Sequence, residues 1–154
     1  MNIFQFFSNL PSDIFWLWIS GLSFALMTIV FLLGPYRKNK DELMGAFLGF
    51  LGGMSIFHIL GGASLYLMSP PLMYLASLGA MTGSAFIVKF PLASISNHRM
   101  KQILFLLTLI VGYIFILWMF SAGLNLMMSM KIASIYMIFF SGGLSATYIV
   151  WKGI

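Results

Sequence analysis

Residues 43–68, LMGAFLGFLGGMSIFHILGGASLYLM, form an apolar run that contains no Asp, Glu, Lys or Arg. At about 1.5 Å per residue, a helix over this run is longer than the roughly 30 Å hydrocarbon core of a bilayer. Such a helix must tilt, break or project beyond the hydrocarbon, and Gly61-Gly62 is where we expect it to bend. The run therefore predicts a long membrane-spanning helix with a glycine-rich surface.

Four further apolar runs accompany this one, at about residues 14–33, 72–90, 102–120 and 132–150. Of the 154 residues, 61% are hydrophobic and 7% are charged, whereas about a quarter of the residues in a soluble domain are charged. Five spans with short connections fill a chain of this length. We therefore predict an all-α polytopic transmembrane helical bundle of five spans, forming a single membrane domain over residues 1–154.

Turn-forming residues lie between the runs. Gly34-Pro35 is expected to end the first helix and Pro91 to end the third, because proline removes a backbone donor and interrupts helices. Ser69-Pro70-Pro71 predicts a tight connection between the second and third runs. Residues 1–10, MNIFQFFSNL, mix phenylalanines with polar side chains and are expected to lie in the membrane interface.

The basic residues are distributed asymmetrically about the five runs. Only Lys131 falls on one side, and the other seven of the eight fall on the opposite side: Arg37, Lys38, Lys40, Lys89, Arg99, Lys101 and Lys152. Lys and Arg next to spans remain in the cytoplasm. The pattern predicts an integral membrane protein with its N-terminus outside and its C-terminus cytoplasmic, in a membrane of the bacterial inner-membrane type.

Small residues recur at helical spacing in the second, third and fifth runs. Helices in lipid associate through close backbone approach, which small residues permit. The expected helix-packing residues are Gly45, Gly49, Gly53, Gly79, Gly83, Gly142, Gly143 and Ala146. These three spans are predicted to form the packed centre, while the fourth exposes much of its surface to lipid. The same stripe is also compatible with a homo-oligomer interface or with a surface along which helices shift.

His58 is the only histidine within a predicted span. An ionisable residue in the hydrocarbon is a functional candidate by default. The preferred interpretation is a neutral imidazole bonded to a neighbouring serine or backbone carbonyl. Two alternatives stay open, namely a haem or copper ligand, and a polar pathway formed with Ser55, Ser84 and Ser141.

Methionine is the other unusual residue type, with 13 copies. Thioether sulfur is a soft ligand that suits Cu(I), although methionine is also an adaptable apolar filler. A weaker copper hypothesis therefore combines His58 with methionines near the predicted outer turns: Met68, Met73, Met127, Met128 and Met130. We predict no metal site and no cofactor as the leading interpretation.

The acidic residues exclude several classes of chemistry. Asp13, Asp41 and Glu42 are the only acids, and all three lie outside the apolar runs. The spans therefore contain no carboxylate for proton or sodium coupling and no paired acids for hydrolysis. The chain also has no cysteine, so it offers no thiolate nucleophile. We predict no catalytic residues.

Three functions remain open from the sequence. The first is a non-catalytic accessory subunit or sensor module that acts through helix packing. The second is a small uncoupled transporter or channel that works as a homo-oligomer, and the third is a haem- or copper-binding membrane protein that uses His58. The expected partners are the lipid bilayer and another membrane protein or a second copy. The net charge of +5 lies at helix ends, so no nucleic-acid partner is predicted.

Overall fold

A computed structural model describes residues 10–93, 95–123 and 143. Over this part of the chain the structure is helical without strands, and its four long helices are α1 (Ser12–Phe31), α2 (Glu42–Tyr66), α3 (Pro70–Leu92) and α4 (His98–Ser121). All four are long and apolar enough to cross a membrane. The described part of the chain is therefore all-helical, and its four apolar helices are typical of a membrane-embedded protein. Residues 1–9 of the predicted interfacial segment lie outside the described residues, as does the predicted fifth span apart from Gly143.

The first helix does not end at Gly34-Pro35, so that prediction is wrong. Instead, α1 continues into a π-helical turn over Leu32–Tyr36 that contains Pro35. A proline ring removes one backbone donor and crowds the carbonyl of the preceding turn, and a wider π turn relieves that crowding. The Asn39 N–H then donates to Pro35 O at 3.0 Å. The proline thus modifies the helix end without stopping it.

The second helix is continuous, and Gly61-Gly62 does not interrupt it. Both glycines are buried, and the Trp18 side chain of α1 packs against Gly62. Asp41 caps the start of the helix, and its carboxylate accepts from Leu43 N–H. It ends in a turn in which Met68 has φ +51° and Ser69 N–H donates to Ser64 O at 3.0 Å. That hydrogen bond defines a Schellman motif, with methionine where glycine is usual.

The other predicted boundaries shift by a few residues. Pro70 and Pro71 are the first two residues of α3. Backbone N–H groups in the first turn of a helix make no hydrogen bond within the helix, so proline is tolerated there. At its other end, α3 continues past Pro91 to Leu92, so Pro91 does not stop it. The fourth helix begins before the apolar run, because the Asn97 side chain caps it by accepting from Met100 N–H.

Each helix packs mainly on its neighbours in the chain, in alternating directions. The α2–α3 contact is the most extensive, followed by α1–α2 and then α3–α4. One core cluster joins Phe57 of α2 to Ala76 and Ala80 of α3. A second joins Met81 of α3 to Ile116 of α4. By contrast, α1 buries only Ile14 and Gly21 along its α-helical length, and α4 likewise exposes most of its apolar residues.

Candidate functional site

The backbones of α2 and α3 meet at Gly53 and Gly83. A Cβ atom added to Gly53 would lie 2.5 Å from Gly83 N and 2.8 Å from Gly79 O. One added to Gly83 would lie 3.0 Å from Phe50 O. No side chain separates the two helices at this crossing, which is the close approach that small residues permit in lipid.

Two further predicted glycines receive side chains from the opposite helix. The Phe86 ring of α3 lies over Gly49 of α2, and Ile56 of α2 lies over Gly79 of α3, with Ile56 Cγ2 2.8 Å from the position of an added Cβ. We call the contact formed by Gly49, Gly53, Gly79 and Gly83 the glycine seam.

Gly45 lies beyond the glycine seam, although it shares the four-residue spacing. Its nearest neighbour is the Tyr36 ring, 3.6 Å from the position of an added Cβ, which is an ordinary contact distance. Gly143 is exposed, and a Cβ there would meet no atom within 4 Å. Gly142 and Ala146 lie outside the described residues.

A second contact of the same kind joins α1 to α2. A Cβ on Gly21 would lie 2.7 Å from Ile59 Cγ1. The Ser55 hydroxyl donates to Gly21 O at 3.1 Å, and Trp18 Nε1 donates to Ile59 O at 3.3 Å. The indole of Trp18 also lies directly over Gly62. Sequence reasoning missed the roles of Trp18 and Gly62. The only signal was that a large aromatic residue in one span and a small residue in the next could lie at the same depth.

His58 lies between two aromatic rings in the α1–α2 contact. Its ring centroid is 5.3 Å from that of Phe24 and 5.0 Å from that of Phe57. Its Nδ1 is 2.7 Å from Met54 O, one turn earlier in the same helix. Because a carbonyl oxygen only accepts, Nδ1 is the donor in this hydrogen bond. The ring is thus fixed by its own helix and by apolar neighbours.

The predicted polar pathway residues do not form one cluster. Ser55 bonds to α1 and His58 bonds to its own helix, while Ser84 lies on α3. No hydrogen bond or ring contact in the structure joins these three side chains. Ser141, the fourth predicted member, lies outside the described residues.

Ser84 differs from the other buried hydroxyl groups of the described helices. Four buried serine and threonine side chains donate to backbone carbonyls, namely Ser55, Ser64, Ser77 and Thr108. Among the described residues, Ser84 Oγ is buried and makes no hydrogen bond. An unsatisfied buried hydroxyl costs about 1–3 kcal/mol.

Residues 10–93 and 95–123 contain no cluster of metal-ligating side chains that would support the haem or copper hypotheses. No group of three or more His, Asp or Glu side chains there is placed to hold a metal ion. Met68 is exposed in the α2–α3 turn, whereas Met73 packs against the core cluster that contains Phe57. The remaining candidates, Met127, Met128 and Met130, lie outside the described residues.

The described basic residues gather at one end of the bundle, around the α1–α2 and α3–α4 connections: Arg37, Lys38, Lys40, Lys89, Arg99 and Lys101. We call this the basic end. Lys101 Nζ lies 3.3 Å from Glu42 Oε2 and donates to Ala93 O at 3.0 Å. Lys89 Nζ lies 4.5 Å from the Phe105 ring centroid. A cavity of about 90 Å³ opens between these groups.

Comparisons with protein-family models, with curated proteins and with solved structures find no match for this chain. The fold and the apolar helices define the class, a polytopic helical membrane protein. Within that class, function has to be argued from the contacts themselves.

Proposed function

We propose that the chain is a non-catalytic membrane accessory subunit or sensor module that acts through helix packing. The observation that supports this proposal is that the interior and the outer surface of the described bundle differ in composition. Glycine contacts fill the interior, while α1 and α4 present apolar side chains outward along their length. Such surfaces suit lipid or another transmembrane helix.

The proposal includes five spans with the N-terminus outside. The basic end supports this orientation, because Lys and Arg near helix ends remain cytoplasmic. The opposite end carries Asp13 at the start of α1 and the short α2–α3 turn. A fifth span over 132–150 would return the chain to the basic side, where Lys152 follows it.

Cysteine labelling tests this topology directly, because the natural chain contains no cysteine. Asn39→Cys and Ser96→Cys should react with an impermeant maleimide only after the cells are permeabilised, whereas Ser69→Cys should react in intact cells. Ile154→Cys should behave like Asn39→Cys. Labelling of Ile154→Cys in intact cells would instead indicate an even number of spans, and labelling of Asn39→Cys there would reverse the orientation.

Site-specific photo-crosslinking in native membranes tests the accessory role. A photoreactive amino acid at Leu26 probes the outer face of α1, and one at Ile110 probes the outer face of α4, both exposed. A reproducible adduct with one other membrane protein at either position is expected. Self-adducts alone would favour the homo-oligomeric transporter or channel, and adducts with lipid alone would contradict both.

One observation favours a second candidate function, a haem- or copper-binding protein centred on His58. Metal-ligating histidines usually donate their other ring N–H to a carbonyl or carboxylate, and the Nδ1–Met54 O hydrogen bond at 2.7 Å has this form. An absorbance spectrum with metal analysis of the purified protein tests it. A Soret band or stoichiometric copper that disappears in His58→Ala would support the candidate, and the absence of both would remove it.

A further inference from the structure

The cavity at the basic end lies between three segments that are distant in sequence. Its volume is about 90 Å³, and its polar lining consists of Glu42, Lys89, His98, Lys101 and Gln102. A water molecule occupies about 30 Å³ of liquid volume. The cavity therefore has room for a small group such as a phosphate.

Lys89 supplies a cation that is already held in place. Its ammonium lies 5.1 Å from the Phe86 ring centroid and 4.5 Å from that of Phe105. Within the described part of the chain, Nζ makes no hydrogen bond and no ion pair. The two rings fix the position of the charge by cation–π attraction, and its N–H donors are left for a ligand.

The other lining groups add donors and one opposing charge. Glu42 is paired with Lys101 at 3.3 Å, so these two charges offset each other. Gln102 Nε2 lies 2.9 Å from His98 Nε2. An amide nitrogen only donates, so Nδ1 of His98 carries a proton. His98 also begins α4, and the N-terminus of a helix favours anions. The net charge of the side chains that line the cavity is therefore positive.

We propose that this cavity binds the phosphate group of an anionic phospholipid. It lies at helix ends, the level at which headgroups occur in a bilayer, and its lining includes the apolar side chains of Leu92 and Phe105, against which an acyl chain would pack. Free phosphate offers the same chemistry without these apolar contacts. The inference goes beyond the accessory role and rests on the membrane placement included in it.

The test is a thermal unfolding titration of the purified full chain in a neutral detergent. The probes are dihexanoyl phosphatidylglycerol, dihexanoyl phosphatidylcholine and inorganic phosphate. Phosphatidylglycerol should raise the Tm, and phosphatidylcholine should not. Lys89→Gln should weaken the apparent affinity by about fivefold or more, since a basic residue contributes about 1 kcal/mol toward anionic lipid. Lys38→Gln makes the same charge change at an exposed position outside the cavity and should leave the affinity within about twofold.

Two further variants separate binding from folding. Lys89→Arg keeps the charge and should restore the response, while Glu42→Gln removes the opposing charge and should strengthen it. Equal stabilisation by inorganic phosphate would support the phosphate site but assign it to a soluble ligand. An unchanged response in Lys89→Gln, or a weaker one in Glu42→Gln, would overturn the site. Neither result affects the topology labelling or the crosslinking, so the accessory role would stand or fall separately.

Discussion

Replacing Gly53 by alanine should destabilise the protein, whereas the same replacement at its neighbour Gly52 should not. The added methyl group at Gly53 would lie 2.5 Å from Gly83 N, and a Cβ at Gly52 would meet no atom within 4 Å. An ordinary contact needs about 3.4 Å or more, so the glycine seam must open by about 1 Å. Overpacking of this kind costs about 1–3 kcal/mol.

The two variants form a matched pair. Both lie in the middle of α2, and both gain up to about 1 kcal/mol of helix propensity when glycine becomes alanine. The propensity gain cancels in the comparison, so the difference between the variants reports the steric cost alone. We expect Gly53→Ala to be less stable than Gly52→Ala by about 1–3 kcal/mol, or roughly 5- to 150-fold in the unfolding equilibrium.

Reversible unfolding in mixed micelles of dodecylmaltoside and SDS measures this difference. Far-UV circular dichroism follows the loss of helix, and both variants are compared with the natural chain at the same detergent ratio. Equal stability of the two variants would refute the close approach of α2 and α3 at Gly53. It would also remove the glycine seam as the feature that holds the centre of the bundle.

Four further substitutions test three individual contacts, two of them by the same unfolding assay and the third by tryptophan fluorescence. The hydroxyl groups of Tyr113 and Thr82 lie 2.7 Å apart between α3 and α4; a double-mutant cycle with Tyr113→Phe and Thr82→Val should give a coupling of about 0.6 kcal/mol, and additive effects would contradict the bond. Met68→Gly should stabilise the chain by roughly 1 kcal/mol, because φ +51° is strained for methionine; a loss of stability would show that the side chain itself matters. Gly62→Ala should displace the indole of Trp18, whose Nε1 lies 2.5 Å from the position of an added Cβ; an unchanged tryptophan emission maximum would argue against that contact.

The apolar runs predicted the existence of the described helices, but their ends depended on local chemistry. The fourth helix starts at His98 because Asn97 caps it, and charged residues continue a helix beyond the hydrocarbon as easily as apolar ones. Pro35 and Pro91 were expected to stop helices and do not. A proline near a helix end disrupts few hydrogen bonds, so hydropathy and turn residues alone overstate its effect.

Spacing identified the glycines on one stripe but not what each of them contacts. Gly53 meets a backbone, Gly49 meets an aromatic ring, and Gly45 meets only Tyr36 at an ordinary distance. What each glycine contacts depends on where and at what angle the two helices cross. The four-residue spacing in the sequence does not give that information. The basic-end cavity was also beyond sequence reasoning, because Glu42, Lys89 and the start of α4 become neighbours only when the helices pack.

The arrangement of the glycine seam restricts how the bundle can move. Phe86 occupies the notch at Gly49 and Ile56 the notch at Gly79, on either side of the Gly53–Gly83 crossing. Axial translation of α2 past α3 would drive each side chain into the adjacent backbone, so the two helices resist sliding along each other. Relative movement of these two helices is therefore restricted to small changes of their crossing angle, whereas α4, whose contact with α3 is less extensive among the described residues, has more freedom to shift.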